Sequence, residues 1–506
     1  MIASINKKIL KECISPKAGA ILLLAAIIFL GAFLRLYKLG NNDIWFDEAT
    51  SALSADNIKE VYSLSGEDIP YGNLALEQQR KPQLIYYKSL DPQPFFYYFL
   101  LKHTIAYLGN SAFSLRLLSV FFSVFSIFVT YKLAALLSRK KNGLYAAFLI
   151  SISPIHIWYA QEARQYSLAV FLITLSAYFL YQALEKDSNK PWIGFIASSI
   201  LLIYTNYIGL LFLAAGWLLL GIKKYRKSAK KMIIANIIII AFFLPWTRIF
   251  RQHIMYVKEA FWIAKPAFFS LIVTLKNFNT GYNSPQSFFI PSLVLFSALA
   301  FLGFFYLKPR AKAFLLMLLF LPILLIFIIS QRMPIYIDRQ LILFSPFYYI
   351  IIANGISGIR SNLIRRSIVC LILVFAIPSL CNYFSSYMPE EACIYHQGAY
   401  VKKPFQSAVN YIENNWQKGD TLIYSHVSVK PSFRYYQKYG NLKQDDQNKY
   451  EYKRIWLVSS SWSRDCNLSP KVQLLRDRLD ARYEKADTAE FDGIFVDLYA
   501  TKDKNL

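Results

Sequence analysis

Two adjacent carboxylates, Asp47 and Glu48, follow the first long apolar run of the chain, residues 18–34. A run of this length is typical of a helix that crosses a membrane, so the two acids are predicted just outside the bilayer, in water but close to lipid. A carboxylate within hydrogen-bond reach of a hydroxyl can take its proton as the oxygen attacks. The pair therefore predicts acid–base chemistry on a lipid-borne substrate, although acids also commonly cap a helix with no catalytic role.

Another carboxylate lies in the loop 160–166, which contains Glu162 and Arg164. The neighbouring residues are nearly all apolar, and charges at such a depth are costly unless they are paired or used. The two side chains could simply neutralise each other. Alternatively, Glu162 joins Asp47 and Glu48 in one cluster, and we predict these three acids as the catalytic residues.

Two further arginines, Arg332 and Arg339, lie in the segment 331–339, just before another apolar run. A guanidinium fork matches the geometry of phosphate oxygens. Arg164, Arg332 and Arg339 are therefore predicted to bind a phosphate, although the last two could instead anchor a helix at the lipid head groups. Acids for a hydroxyl nucleophile and arginines for a phosphate leaving group together predict group transfer from a lipid phosphate.

The same acids raise the question of a cofactor. Adjacent carboxylates can hold a divalent cation, and Asp47, Glu48 and Glu162 would be its ligands. An isolated acid pair is weak support for such a site, so the sequence requires no cofactor and leaves a divalent metal open. The five cysteines have no metal-ligand spacing. Cys393 and Cys466 fall in one soluble region, where they either pair in an oxidising compartment or remain free thiols.

The composition is that of a membrane protein with several spans. Of the 506 residues, 55% are hydrophobic and 17% are aromatic, and the apolar residues come in long runs. The formal net charge is +25, which in a soluble protein would suggest nucleic acid as a partner. Here the basic residues cluster in short loops between apolar runs, which is typical of cytoplasmic loops. No nucleic-acid motif is visible, so the predicted partner is membrane lipid and not nucleic acid.

The basic loops also predict a topology in the plasma or inner membrane. Lysines before the first run indicate a cytoplasmic amino terminus, which leaves the acids at 47 and 48 outside. All basic loops can stay inside only if residues 94–108 form an interfacial helix and not a span. The eleven predicted transmembrane helices are 18–38, 113–137, 143–160, 167–185, 192–207, 208–222, 232–249, 289–307, 313–330, 341–358 and 367–384. The predicted outer loops are 39–112, 161–166, 250–288 and 331–339.

The composition changes after about Tyr387, which predicts a transmembrane domain at 1–387 and a soluble domain at 388–506. About 120 residues suffice for a small α/β domain, and an odd number of spans places it outside the cytoplasm. Apolar periodicity predicts helices at 405–416 and 470–483, and strands at 421–425, 454–459 and 494–500. The predicted fold class is thus mainly α, a membrane helix bundle followed by a small α/β extracytoplasmic domain.

Five short stretches, taken in their order and spacing, are similar to the motifs of a known family. They are Trp45-Phe46-Asp47-Glu48-Ala49, Gln93-Pro94-Phe95-Phe96-Tyr97, Arg116-Leu117-Leu118-Ser119, residues 153–167 and Asp338-Arg339-Gln340-Leu341. Over about 18–385 the chain resembles the polytopic glycosyltransferases of the dolichyl-phosphate-mannose protein mannosyltransferase and aminoarabinose transferase type. These have the GT-C fold and belong to glycosyltransferase family 39 and its bacterial relatives. The chain departs from them at Gln93-Pro94, where relatives often have His-Pro-Pro, and at Gln340, where an aromatic residue is usual.

The resemblance implies a polyprenyl-phosphate-linked sugar as donor and an active site on the outer face. It also implies that Asp47 activates the acceptor hydroxyl, that Glu162 is the second acid of the site and that Arg339 contacts the donor phosphate. We therefore predict a membrane glycosyltransferase that transfers the sugar to an acceptor hydroxyl with inversion. The acceptor, whether protein, lipid or glycan, is not identified by the sequence.

Three other functions remain open. One is an oligosaccharide transferase or ligase with a polyprenyl-diphosphate donor, one is a transporter or flippase of lipid-linked sugars, and one is a non-catalytic assembly protein. A transporter predicts charges in the middle of its spans and broken helices in paired halves. The predicted spans are nearly free of acids and the charges gather at one face, which favours the enzyme.

Overall fold

The computed structural model describes residues 16–56, 92–186, 188–260, 263–389, 402–425, 429–439, 453–460 and 470–501. These residues form two compact units. The first contains 16–37 and 117–389, and the second contains 38–56, 92–116 and the described part of 402–501. The predicted fold class is confirmed, because the chain consists of apolar helices and a small mixed sheet near its carboxyl end.

Helices follow the apolar runs of the sequence through the described residues up to 389. In chain order they are α1 (Pro16–Leu36), α2 (Phe46–Asp56), α3 (Phe96–Leu108), α4 (Ala112–Leu137), α5 (Lys140–Ile152), α6 (Pro154–Ala160), α7 (Tyr166–Glu185), α8 (Lys190–Ile203), α9 (Gly209–Leu218), α10 (Ala229–Phe243), α11 (Thr247–Ala260), α12 (Phe268–Thr280), α13 (Phe289–Tyr306), α14 (Pro309–Ile329), α15 (Asp338–Leu341), α16 (Ser345–Gly358) and α17 (Asn362–Phe384).

Eight helical stretches in the described part of the chain are long and apolar enough to cross a bilayer, or nine if the bent pair α5 and α6 forms one span. Two more apolar helices, α8 and the stretch Gly209–Gly221, are shorter. Together these eleven elements correspond to the eleven predicted spans, and the chain is a multi-pass membrane protein. The predicted spans 192–207 and 208–222 differ most from the structure. The 14 residues of α8 rise only about 21 Å, less than the ~30 Å of the hydrocarbon core.

The predicted span 143–160 is bent by 60° where α5 meets α6. Proline has no amide N–H and disfavours helical backbone in the residue before it. Ser153, which precedes Pro154, accordingly has extended backbone with φ −63° and ψ 118°. The bend leaves carbonyl groups at the end of α5 without partners inside their own helix.

Arg35 of α1 satisfies those carbonyl groups. Its guanidinium donates to the carbonyl oxygens of Ile150, Ser151 and Gly31, each at 2.9 Å, and to Ser123 Oγ at 2.7 Å. The side chain is completely buried. A cation inside a membrane bundle is costly unless it is paired, and here the partly negative end of a broken helix stabilises it.

The carboxyl-terminal part of the second unit is a four-stranded mixed sheet covered by helices. Its elements are α18 (Phe405–Asn415), β1 (Asp420–Tyr424), α19 (Lys430–Tyr439), β2 (Arg454–Ser460), α20 (Pro470–Asp480), β3 (Tyr483–Phe491) and β4 (Ile494–Thr501). The strand order is β1-β2-β4-β3, with β1 and β2 parallel and the other pairs antiparallel. Apolar side chains of α18 and α19 pack on one face of the sheet, and Leu479 of α20 packs on the other. All five predicted elements are present, whereas α19 and β3 had not been predicted.

Residues 38–56 and 92–116 belong to the same compact unit as this sheet. Helix α2 packs against α19 and against α3. This grouping differs from the predicted division at residue 387, which assigned 39–112 to the transmembrane domain. The physical reason for the difference is long-range contact within the fold, because hydrogen bonds join Asp43 to Gln406 and Ile44 to Tyr436.

Candidate active site

Glu48 lies in the first turn of α2 and is held by an arginine from α4. Arg116 donates from Nε to Glu48 Oε1 at 2.7 Å and from Nη2 to Glu48 Oε2 at 2.8 Å, the paired geometry that makes such contacts strong. Lys402 Nζ lies 3.4 Å from Glu48 Oε2. The Glu48 side chain is 0% exposed, so two cations hold it in a fixed position away from solvent.

The remaining donors of Arg116 fix the chain that leads into α2. Its Nη1 donates to the carbonyl oxygens of Leu39 and Asn42, both at 2.8 Å, and its Nη2 donates to that of Asp43 at 2.9 Å. A guanidinium has five N–H groups, and in this structure each has a partner. In the sequence Arg116 is visible only as part of a motif, whereas in the structure its contacts organise residues 39–48.

Asp47 precedes Glu48 in the same turn and is more accessible, with 9% of its surface exposed. Its carbonyl oxygen accepts a hydrogen bond from Ser51 Oγ at 2.9 Å, which fixes the first turn of α2. Both acids lie at the amino end of a helix, where the helix dipole stabilises negative charge. The two adjacent acids thus differ in exposure, because Glu48 is fully buried in its ion pair and Asp47 is slightly nearer to solvent.

Glu162 and Arg164 belong to the first unit, in the turn between α6 and α7. Trp158 Nε1 donates to Glu162 Oε1 at 2.7 Å, and both acid and arginine are buried. The Arg164 guanidinium lies 5.8 Å from the ring centre of Tyr166, within the range of a cation–π contact.

The side chain of Gln161 ties this turn to two other helices. Its Nε2 donates to the carbonyl oxygens of Arg35 and Tyr37 at 2.9 and 2.7 Å, and its Oε1 accepts from the Tyr383 hydroxyl at 3.0 Å. The turn carrying Glu162 is therefore anchored to the ends of α1 and α17, which keeps a carboxylate in a defined place.

Arg339 is buried in the first unit beside a second buried acid, Asp338. The Asp338 carboxylate accepts from Thr274 Oγ1 at 2.6 Å and from Asn277 Nδ2 at 2.7 Å, both on α12. By contrast, Arg332 is exposed near the end of α14. The two arginines predicted for one phosphate therefore lie in different environments, and only Arg339 is inside the protein.

The hydroxyl of Tyr282 is buried and lies within the electrostatic influence of several of these charges. It shares a 2.7 Å hydrogen bond with the hydroxyl of Tyr159. Burial raises the pKa of Tyr282 well above its usual value, the negative charges of Asp338 and Glu162 raise it further, and Arg339 lowers it. Glu162, Asp338 and Arg339 therefore all influence the pKa of one buried tyrosine.

Lys276 of α12 is a buried cation that the sequence analysis did not select. It is 3% exposed and its Nζ donates to the carbonyl oxygen of Gly281 at 2.8 Å. Burial lowers its pKa to about 7, although the charge of Asp338 opposes the shift. The signal in the sequence is a single charge within the apolar stretch of α12, inside the predicted outer loop 250–288.

A metal site receives no support from the side chains that the structure describes. Among them, no three histidines, cysteines, aspartates or glutamates are grouped so that they could hold an ion. The metal-binding role considered for Asp47, Glu48 and Glu162 stays a prediction. Cys393 and Cys466 lie outside the described residues, and the two described cysteines, Cys370 and Cys381, are free thiols.

The helix bundle and its small mixed sheet form the GT-C fold of membrane glycosyltransferases. The structure of ArnT from Cupriavidus metallidurans superposes with a TM-score of 0.62 and 10% identity, over 96% of this chain and 98% of that one. The same protein bound to undecaprenyl phosphate gives a TM-score of 0.58, with 10% identity over 95% and 98% of the two chains. The oligosaccharyltransferase of Archaeoglobus fulgidus gives 0.53, with 12% identity over 97% of this chain and 75% of that one. At such low identity, these similarities establish the fold alone.

Within that class, residues 92–249 match the family model of the dolichyl-phosphate-mannose-protein mannosyltransferases. This match confirms the resemblance found in the motifs and covers less than a third of the 506 residues. An uncharacterized protein of Aquifex aeolicus is 30% identical over 170 residues. That alignment spans 33% of this chain and 31% of the Aquifex protein.

Proposed function

We propose that this chain is a membrane glycosyltransferase that moves a sugar from a polyprenyl-phosphate-linked donor to an acceptor hydroxyl. The observation that carries the proposal is the ArnT-like fold over 96% of the chain. The match to a mannosyltransferase family model at 92–249 supports it. ArnT has been solved with undecaprenyl phosphate bound, and this supports a polyprenyl phosphate as the lipid of the donor.

In the proposed reaction Asp47 is the general base. Its carboxylate takes the proton of the acceptor hydroxyl while that oxygen forms a bond to the anomeric carbon. The bond from this carbon to the phosphate oxygen breaks, and polyprenyl phosphate leaves with the bonding electrons. Attack opposite the leaving group inverts the anomeric centre. Glu48 is proposed to position Asp47, since its own carboxylate is occupied by Arg116.

The leaving phosphate develops negative charge that fixed cations stabilise. Arg339 is the proposed contact, because it is a buried cation whose charge influences the pKa of the buried Tyr282. Arg164 remains a proposed second contact, whereas the exposure of Arg332 favours head-group anchoring for that residue. Glu162, fixed by Trp158, is proposed to orient the acceptor or the sugar hydroxyls.

The proposed topology keeps the amino terminus in the cytoplasm and the carboxyl-terminal domain outside. Its support is the clustering of basic residues in alternate loops of the sequence. The active site would then face away from the cytoplasm, where the donor is presented by the outer leaflet. The acceptor is left as a protein, lipid or glycan hydroxyl.

The test is release of polyprenyl phosphate by purified protein in detergent, supplied with a polyprenyl-phosphate sugar and an envelope extract. Asp47→Asn removes the proposed base and should slow release by roughly 100-fold or more. Asp56→Asn is the matched control, because it removes an exposed acid at the other end of the same helix. Equal rates for wild type and Asp47→Asn would remove this carboxylate from the mechanism.

A second function, transfer of an oligosaccharide from a polyprenyl-diphosphate donor, is supported by the likeness to the archaeal oligosaccharyltransferase. The same assay separates the two functions when both donors are supplied in parallel. Release of a monophosphate lipid supports the first proposal, and release of a diphosphate lipid supports the second.

A further inference from the structure

We propose that the carboxyl-terminal domain positions Asp47 by holding the segment 43–48 with three of its residues, Lys402, Gln406 and Tyr436. We call these three residues the clamp. The inference rests on the proposed function, because it assigns the domain a part in the same chemistry. It differs from a role in acceptor binding, which would leave the segment 43–48 independent of the domain.

The first contact of the clamp is a helix cap made by a distant residue. The backbone N–H of Gln406, in the first turn of α18, donates to Asp43 Oδ2 at 2.8 Å. Pro404 occupies the cap position of α18 and has no side-chain group for this purpose. The Asp43 carboxylate therefore caps α18, and the same hydrogen bond fixes the position of Asp43. Burial raises the pKa of Asp43, while the Gln406 N–H and Arg116 oppose the rise by stabilising the charged form.

The second contact fixes the backbone next to Asp43. The Ile44 N–H donates to the Tyr436 hydroxyl oxygen at 2.8 Å. The neighbouring Tyr435 donates its hydroxyl proton to the carbonyl oxygen of Asn110, which precedes α4. Helix α19 therefore holds both the chain that enters α2 and the chain that enters α4.

The third contact lies on the other side of Asp47. Lys402 Nζ is 3.4 Å from Glu48 Oε2, and the Lys402 side chain is 8% exposed. At this burial an ion pair is screened less by salt than a surface pair. The clamp thus acts on residues 43 and 44 before Asp47 and on residue 48 after it. Arg116 also contacts Asp43 and Glu48, so Arg116 and the clamp hold the same acid turn.

This arrangement gives the domain a positioning role. A displacement of about 1 Å at a catalytic group can cost on the order of 100-fold in rate. If the clamp acts by fixing the position of the Asp47 carboxylate, weakening the clamp should lower kcat and leave the donor KM nearly unchanged. A domain that only bound the acceptor would change the acceptor KM instead.

The experiment uses the full-length protein in detergent with the variants Tyr436→Phe and Lys402→Met. The first removes the oxygen that accepts the Ile44 N–H, and the second removes the charge beside Glu48. We expect kcat to fall roughly 10- to 100-fold, the donor KM to change less than about twofold, and Lys402→Arg to recover most of the rate. Tyr411→Phe and Lys485→Met are the matched controls, since those side chains contact Asp487 and Asp497 in the same domain and not the segment 43–48.

Hydrogen exchange on the same proteins provides a readout that does not need activity. Tyr436→Phe should raise the exchange rate of amides in 43–56, and Tyr411→Phe should not. Unchanged exchange there, or a kcat equal to wild type, would overturn the clamp. Faster exchange in a protein whose wild type transfers no sugar would overturn the proposed function and leave the clamp as a structural contact. Addition of Tyr436→Phe to Asp47→Asn should lower the residual rate no further, since the clamp acts through Asp47.

Discussion

At the scale of single residues, neighbouring side chains of the same chemical type have different environments. Asp47 and Glu48 are equivalent in the sequence, yet Glu48 is fully buried against Arg116 and Lys402, whereas Asp47 keeps 9% of its surface exposed. The sequence predicts both acids because their place after an apolar run is visible. It does not predict the pairing of Glu48, because Arg116 lies 68 residues away from Glu48 along the chain. The same holds for the charge that acts on Lys276, because Asp338 is distant from it along the chain.

Glu48→Gln should destabilise the protein because it leaves Arg116 buried without its counter-charge. Loss of one partner of a buried pair costs about 3–5 kcal/mol. The measurement is the midpoint of thermal unfolding in detergent. Glu185→Gln serves as the contrast, since the pair of Glu185 with Lys224 is partly exposed and should contribute less than about 1 kcal/mol. Equal shifts for the two variants would contradict a structural role for Glu48.

Lys276 predicts a dependence of stability on pH. Its pKa in the fold is lowered to about 7, from an ordinary value of 10.5, so the folded protein releases a proton at lower pH than the unfolded chain. The unfolded chain binds more protons between these two values, and the free energy of unfolding contributed by this group must rise with pH across that window. Below about pH 7 the lysine is protonated in both the folded and the unfolded state, so it no longer changes the free energy of unfolding with pH.

The measurement is the difference in unfolding midpoint between wild type and Lys276→Met from pH 6 to 10. This difference should grow in favour of wild type as the pH increases above about 7. Lys265→Met provides the comparison, because Lys265 is exposed, and its curve should stay parallel to wild type. A constant difference for Lys276→Met would show that the lysine keeps an ordinary pKa.

At the scale of elements, strands and helices with a regular apolar pattern could be predicted from the sequence. Elements without such a pattern could not. Strands β1, β2 and β4 are apolar, and their predicted ends agree with the structure to within one residue. Strand β3 is an edge strand whose residues are mostly exposed and include four charged side chains, so it carries no apolar alternation. Helix α19 was missed because its apolar residues are aromatic and are interrupted by basic ones.

The bend between α5 and α6 leads to a prediction at this scale. Arg35→Met leaves the carbonyl oxygens of Ile150 and Ser151 without a donor inside the bundle, and each such group costs about 1–3 kcal/mol. We expect a marked fall in the unfolding midpoint, and a smaller one for Arg35→Lys, which keeps the charge but not the fork. Arg139→Met, at an exposed position, should have little effect. If Arg139→Met lowered the unfolding midpoint as much as Arg35→Met, this explanation of the role of Arg35 would be contradicted.

At the scale of the whole molecule, the sequence predicted a helical membrane part and a small α/β part, and both are present. The membership of residues 38–116 could not be predicted from the sequence. These residues pack with a domain that begins about 290 residues later, and composition carries no information on such long-range contacts. The clustering of basic residues in alternate loops predicts which side of the membrane each loop and terminus faces. This topology is a property of the whole chain and can be tested directly.

The proposed topology predicts which positions react with a membrane-impermeant maleimide in intact cells. In a variant without the native cysteines, Lys418→Cys in the carboxyl-terminal domain should react at once. Lys227→Cys, in the basic stretch before α10, should react only after the membrane is permeabilised. Both lysines are exposed, so access to the side chain is comparable. The reverse pattern would invert the topology and place the acids of α2 in the cytoplasm.

The hydrogen bond between Asp43 and Gln406 also sets an order of events during biosynthesis. Its two partners are separated by 363 positions. At a ribosomal speed of roughly 5–20 residues per second, the second partner is made on the order of 20–70 s after the first. The acidic turn therefore lacks this hydrogen bond during that interval, by the end of which the intervening helices have been synthesised. A nascent chain therefore carries an incompletely held acid, and the arrangement reaches its final form only once the carboxyl-terminal domain has folded.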